Sequence, residues 1–191
     1  MSPEQPKYTV LSSSANREVR RYEARIVAET SVEGARAKAL NEAFSILAGY
    51  IFGGNEPAER VAMTSPVTQS RDSQRIAMTA PALQQMAKRD DSPDWVVQFT
   101  MPAQYRMESL PRPTDERVKL KEVSASTLAV VRFSGLARSK TLLDKEKELR
   151  EFIDSERLEP IGEVAYAFYD PPFTLPPLRR NEIWIEVTPK R

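Results

Sequence analysis

Tyr169-Asp-Pro-Pro-Phe-Thr-Leu-Pro-Pro-Leu-Arg-Arg-Asn-Glu-Ile-Trp-Ile-Glu186 falls into two parts of opposite character. In the first part Pro171, Pro172, Pro176 and Pro177 fix φ and lack an N–H donor, which forbids both helix interior and central strand. The expectation is a stiff, extended loop. It carries Tyr169, Phe173, Leu175 and Leu178, side chains that gain by burial. A rigid apolar loop either lines a ligand or closes the end of a barrel. Beyond Arg179, Arg180 and Asn181 the side chains alternate. Ile183, Ile185 and Val187 share one face, and Glu182, Trp184 and Glu186 the other, which is the period of a strand.

Upstream, a partner strand fits residues 163 to 169. Before it, Leu142, Leu149 and Ile153, with Leu143 and Phe152 beside them, give a helical stripe over a segment from Ser139, a candidate cap, to about Glu156. Glu146 and Arg150, and Lys147 and Glu151, are spaced i, i+4 on its wet side. Pro160 and Gly162 end the segment. Strands at 118 to 123 and 126 to 134 precede it, with Ala129, Val131 and Phe133 facing one way. This half reads strand, strand, helix, strand, strand.

The first half repeats that order. Residues 8 to 13 and 17 to 29 predict an antiparallel pair, with Tyr22, Ala24, Ile26 and Ala28 on one face of the second strand. Thr30 and Glu33 form a capping pattern for a helix to about Phe52, with Leu40, Phe44, Leu47 and Ile51 as its stripe and Gly53-Gly54 as its stop. Val61-Ala-Met-Thr-Ser-Pro-Val67 recurs as Ile76-Ala-Met-Thr-Ala-Pro-Ala82, around a polar turn at Gln69 to Arg75. Each copy predicts a strand with Met63 or Met78 on one face and Thr on the other. Those methionines either fill core gaps or offer a soft surface to a flat apolar ligand. Residues 88 to 94 read as a turn. Trp95, Val97, Phe99 and Met101 then alternate as a strand, and residues 102 to 117 connect the halves. The expected fold is α+β in one domain, 1–191. It is an eight-stranded antiparallel, distorted β-barrel flanked by two helices, built from two ββαββ pseudo-repeats at about 8–101 and 118–188 with a linker at 102–117.

Composition narrows the chemistry. The 191 residues include no Cys and no His, at a formal net charge of +1. That excludes a disulfide framework, cysteine-type zinc, a thiol nucleophile, a Ser-His-Asp triad and a proximal histidine for haem. The balanced charge argues against a nucleic-acid partner. There is no apolar leader at Met1 and no apolar run approaching the roughly 18 residues of a membrane span. The expectation is a soluble, cytoplasmic protein without a membrane partner. Oligomeric state is open.

Four stretches carry a resemblance: Tyr50-Ile-Phe-Gly-Gly-Asn55, Ile76-Ala-Met-Thr-Ala-Pro81, Phe99-Thr-Met-Pro102, and Tyr169 through Trp184. With them the chain, over about residues 8 to 188, resembles the SOUL haem-binding protein family. The last motif is long and specific; Met-Thr-x-Pro alone is weak. The resemblance implies an eight-stranded barrel with two helices and an internal repeat. It also implies non-covalent binding of haem or another tetrapyrrole, a porphyrin for instance, in a shallow apolar cleft, without catalysis. The cleft lies beside the first helix and near the loop before the last strand. By position it takes in Leu47 and Ile51 on the helix, and Phe173, Leu178, Arg179 and Arg180 in the loop. The two arginines either meet propionates at the rim or pair with Asp170 or Glu182 to fix the loop. With no histidine, axial ligation is left to Met63, Met78 or Tyr169, or the macrocycle binds without it.

Two other readings stay open. The repeated ββαββ layout also resembles gyrase-inhibitor-like small-molecule-binding domains, in which Glu182, with Tyr169 as an acid partner, would meet a cationic ligand or assist hydrolysis. The third is a protein–protein interaction module without a small ligand.

Overall fold

The computed structural model describes residues 4–56, 74–87, 94–170 and 173–190. The elements run β1 (Tyr8–Ser14), β2 (Arg17–Tyr22), β3 (Arg25–Glu33), α1 (Arg36–Ile51), β4 (Asn55–Glu56), β5 (Ala82–Ala87) and β6 (Asp94–Thr100). They continue β7 (Arg112–Pro113), β8 (Lys119–Val123), β9 (Ser126–Phe133), α2 (Ser139–Ser155), β10 (Leu158–Pro160), β11 (Ala165–Phe168) and β12 (Asn181–Pro189). The repeat copy holding Met63, and the proline pair Pro171–Pro172, lie outside the described residues, as do most of the polar turns expected at 69–75 and 88–94.

One antiparallel sheet carries the fold, in the order β1-β2-β9-β12-β11-β5-β6-β3-β8, with β10 along the end of β12. It curls into a half-barrel with two helices, an α+β architecture. The sheet has ten strands rather than the expected eight, and no β1–β8 ladder closes it among the described residues. The expected single strand at 17–29 breaks between Tyr22 and Arg25. β2 pairs with β9, whereas β3 lies between β6 and β8. The neighbours Val27 and Ala28 on β3 are both fully buried, so this strand is covered on both faces and simple alternation cannot describe it.

Two more boundaries move. β3 continues through Thr30 to Glu33, so Thr30 is a buried strand residue opposite Val97, not a helix cap. α1 starts at Arg36, and neither helix has a side-chain cap bond; Ser139 is the first residue of α2 and Arg138 its cap position. The expected strand at 76–82 is instead an irregular approach: Ile76 N–H donates to Ile51 O (2.9 Å), Thr79 makes one parallel bridge to Glu4, and the ladder begins at Ala82 after a cis Ala80–Pro81 bond. Ile76 is buried while Met78 is 43% exposed, so they do not share a strand face.

Burial divides along the strands. Ala129 and Val131 of β9, with Ile183 and Ile185 of β12, pack under Leu149 and Ile153 of α2. The intervening Leu128, Val130 and Trp184 join Tyr22, Leu83 and Ala167 in a separate cluster. β12 is therefore buried on both faces for most of its length, as a central strand must be. α1 covers β3 and β6 with Ala39, Ala43, Ile46, Leu47, Tyr50 and Ile51, a stripe rotated from the expected one. Alanines at 39 and 43 let the helix sit close on the sheet. Phe44 is left 44% exposed, its ring edge-on to Phe99 at 5.2 Å.

The 102–117 segment is anchored as well as connecting. Leu110 is buried under α1, and Tyr50 Oη donates to Pro111 O (2.8 Å). Burial, with Tyr105 nearby, pushes the Tyr50 phenol up to about 12. Thr114 N–H and Oγ1 donate to Gly54 O at 3.1 and 2.9 Å. Gly54 is required there, because a Cβ would lie 2.7 Å from Gly49 O.

Candidate functional site: an arginine-lined groove beside a sealed carboxylate

An open groove of about 470 Å3 runs between the start of α1, the edge of β5 and the lead-in to α2. Leu40, Leu136, Ala137 and Phe168 give it apolar walls, and Arg36, Arg138 and Arg179 give it charge. Gln84 completes the lining, which contains no acidic side chain. Arg36 is held by Nη2 donating to Gln84 Oε1 (3.3 Å) and by the Trp95 and Tyr166 rings, each 5.5 Å from its guanidinium carbon. Its Nε is buried without a partner. Burial lowers the Arg36 pKa, an effect that an anion beside it would reverse. Arg179 donates Nε to Thr174 O (2.7 Å), which sets its stem along the loop. An apolar groove with cations along it and no acidic side chain in its lining suits an apolar, anionic molecule.

The predicted residues are distributed differently. Leu47 and Ile51 are sealed in the core under α1 and offer no surface to a ligand; the groove meets the helix about two to four turns earlier, at Arg36 and Leu40. Phe173 and Leu178 are 84% and 71% exposed and stand outside the groove lining, because the loop turns through the short 3-10 helix Pro176–Leu178 instead of lying flat on the fold. Leu175 is exposed as well. Met78 is absent from the lining, and Met63 lies outside the described residues. Arg179 is the one predicted residue that lines the groove.

Arg180 turns inward. Its Nε and Nη2 donate to Glu182 Oε1 at 3.0 and 2.7 Å, its Nη1 donates to Gln5 Oε1 at 3.2 Å, and its guanidinium lies 3.9 Å over the Tyr169 ring. Its backbone N–H donates to Asp170 Oδ2 (2.6 Å). The loop-fixing alternative therefore describes Arg180. Glu182 also receives Arg20 Nη1 and Nη2 (2.9 and 3.2 Å), Tyr169 Oη (2.8 Å) and Trp184 Nε1 (2.8 Å). Burial would raise the Glu182 pKa, but bonds and charge from Arg20 and Arg180 outweigh it and the net direction is down. Burial and the Glu182 charge push the Tyr169 phenol up. A carboxylate with no exposed surface, two cationic partners and six donors has no lone pair left for a water or a cationic ligand. Tyr169, committed to that cluster, is not placed to ligate a metal.

Sequence reasoning missed Arg36, Leu40, Leu136, Arg138 and Phe168. Each sits at or near an element end, in the β9–α2 connection or inside an unremarkable helical turn, and only the strand order brings them together. Among the described residues no group of three or more His, Cys, Asp or Glu could hold a metal ion, and no helix is long and apolar enough to cross a membrane.

Three comparisons bear on identity. Heme-binding protein 1 of Mus musculus is 31% identical over 149 residues, 78% of this chain and 71% of that protein. The C-terminal domain of EcmrR superposes with a TM-score of 0.62 at 10% identity, over 95% of this chain and 98% of that one. A hydrolase from Listeria innocua superposes at 0.59 and 12% identity, over 93% and 94%. At those identities the two structures share the fold and nothing finer. The model of the SOUL heme-binding protein family matches residues 3–186, and the chain belongs to that family.

Proposed function

We propose that the protein binds a tetrapyrrole, haem or a related porphyrin, non-covalently in the groove between α1 and the lead-in to α2, and that it does so without catalysis. The observation that carries this is the lining: apolar walls with Arg36, Arg138 and Arg179, and no acidic side chain among the lining residues. Family membership and the curated relatives' names support the ligand class. The residues present fit the macrocycle better than the iron. The groove lining holds no Met, Tyr, His or Cys, so no side chain there is of an axial-ligand type. In this reading recognition rests on apolar area and charge-assisted contacts to carboxylates, and a metal-free porphyrin is accepted too.

The two-repeat organisation, 8–101 and 118–188 joined by 102–117, belongs to the same proposal. It is supported by the strand order, in which β8-β3-β6-β5 mirrors β2-β9-β12-β11. The glutamate-based sensor or hydrolase reading loses its chemical basis in the saturation of Glu182. The test is an absorbance and tryptophan-fluorescence titration with hemin and with protoporphyrin. The expected result is saturable binding of both, with a hemin spectrum free of thiolate or bis-histidine features. Absence of saturable binding by either would refute the reading.

A further inference from the structure

A second cleft lies away from the groove, between the N-terminal strap at residues 4–7, the β2–β3 turn, the 100–108 segment and the end of β8, with a volume of about 650 Å3. Two of its wall residues carry buried hydrogen-bonding atoms with nothing to bond: Arg25 Nε and Nη1, and Thr100 Oγ1. Buried groups of this kind are nearly always partnered, and an orphaned donor costs on the order of 1–3 kcal/mol. Arg25 is steadied by the Tyr22 ring, 5.5 Å from its guanidinium carbon, and no ion pair to it is seen among the described residues. Burial lowers its pKa, with only partial relief from Tyr22 and Glu186.

The remaining wall says what else the ligand must be. Ile26, Met101, Tyr105 and Val123 supply apolar surface. Around it stand the exposed Glu23, Glu108 and Glu122 and the exposed Lys7 and Arg106, so the rim carries both signs of charge and leaves Arg25 as the buried cation. Glu4 is already engaged, its Oε1 accepting from Ala103 N–H (2.9 Å). The cleft therefore suits one oxyanion group on a compact apolar body. We propose that it is a second ligand site, taking a small molecule with one anionic head group, a carboxylate or a phosphate, that is received by Arg25 and Thr100. The site shares no lining residue with the groove and does not depend on the tetrapyrrole reading.

The test is an amide NMR titration of the full chain with hexanoate, with phenyl phosphate and with the neutral hexanol. The expected result is saturable shifts at residues 24–26, 100–107 and 122–124 for one or both anions, and none for hexanol; which anion binds tells carboxylate from phosphate. Arg25→Gln should weaken binding at least tenfold. Arg25→Lys and Thr100→Val, each checked by circular dichroism, should weaken it less, and they keep the test alive if Arg25→Gln does not fold. Equal response to hexanol, no saturable shift with either anion, or unchanged affinity in the folded variants would each overturn the proposal.

Discussion

Glu182 shows how one residue can be misread from sequence. A glutamate alternating with tryptophan on a late strand suggests an accessible acid or base. In the fold it is the centre of a sealed cluster of Arg20, Arg180, Tyr169 and Trp184, flanked by Tyr22, whose ring centroid is 5.0 Å from that of Trp184. Removing its charge leaves the half-buried Arg180 without a carboxylate and the buried Arg20 with Glu18 alone (2.5 Å), so Glu182→Gln should destabilise the protein by about 3–5 kcal/mol in urea unfolding. Because the folded pKa lies below the ordinary 4.5, the stability this carboxylate contributes is present above the unfolded value and is lost as pH falls through the folded one. Thermal unfolding of the wild type should thus weaken steeply below about pH 4.5, and Glu182→Gln should flatten that acid limb. An unchanged limb would mean the carboxylate is not ionised in the fold. Arg180→Ala belongs with it, and should lower stability more than ligand affinity.

At the scale of elements, periodicity located both helices to within a few residues but only half of the face that α1 buries: Leu47 and Ile51 are in the core, Leu40 and Phe44 are not. The expected stripe followed the largest apolar residues, Leu40, Phe44, Leu47 and Ile51. The fold instead buries Ala39 and Ala43, whose small side chains permit close approach to β3 and β6. Leu47→Ala should therefore cost about 2–5 kcal/mol, as a cavity in a fully buried site. Phe44→Ala should cost about 1 kcal/mol, chiefly its edge contact with Phe99. Similar values for the two would place the helix differently on the sheet. The proline-rich loop was legible as irregular, and its exposure was not: proline rules constrain backbone torsion and say nothing about which way the loop leaves the surface. β12, by contrast, was readable nearly residue by residue, since its two faces alternate between separate cores.

Across the whole molecule, the α+β class and the two helices could be read from sequence, but the strand count and the pairing of β2 with β9 and of β3 with β8 could not. Both are long-range, and no local pattern encodes them. They tie residues 8–101 to residues 118–188, because β2 pairs with β9 and β8 with β3. Fragments 1–101 and 118–191 should accordingly stay unfolded when expressed separately, by circular dichroism and amide dispersion; an independently folded fragment would contradict that dependence. The groove is a product of the same topology, since Arg36, Arg138 and Arg179 come from three distant places in the chain. A charge-assisted contact from one of them is worth about 1.5–3 kcal/mol, roughly ten- to hundredfold in affinity.

The most direct test of recognition through those arginines is a fluorescence titration comparing protoporphyrin with its dimethyl ester, in wild type and in Arg36→Gln/Arg138→Gln. The ester keeps the flat apolar body and loses both negative charges. The acid should bind the wild type at least tenfold more tightly than the ester, and that preference should largely vanish in the double variant. If the ester binds wild type as tightly as the acid, or the preference survives loss of both arginines, the groove does not read carboxylates and the account of this site is wrong.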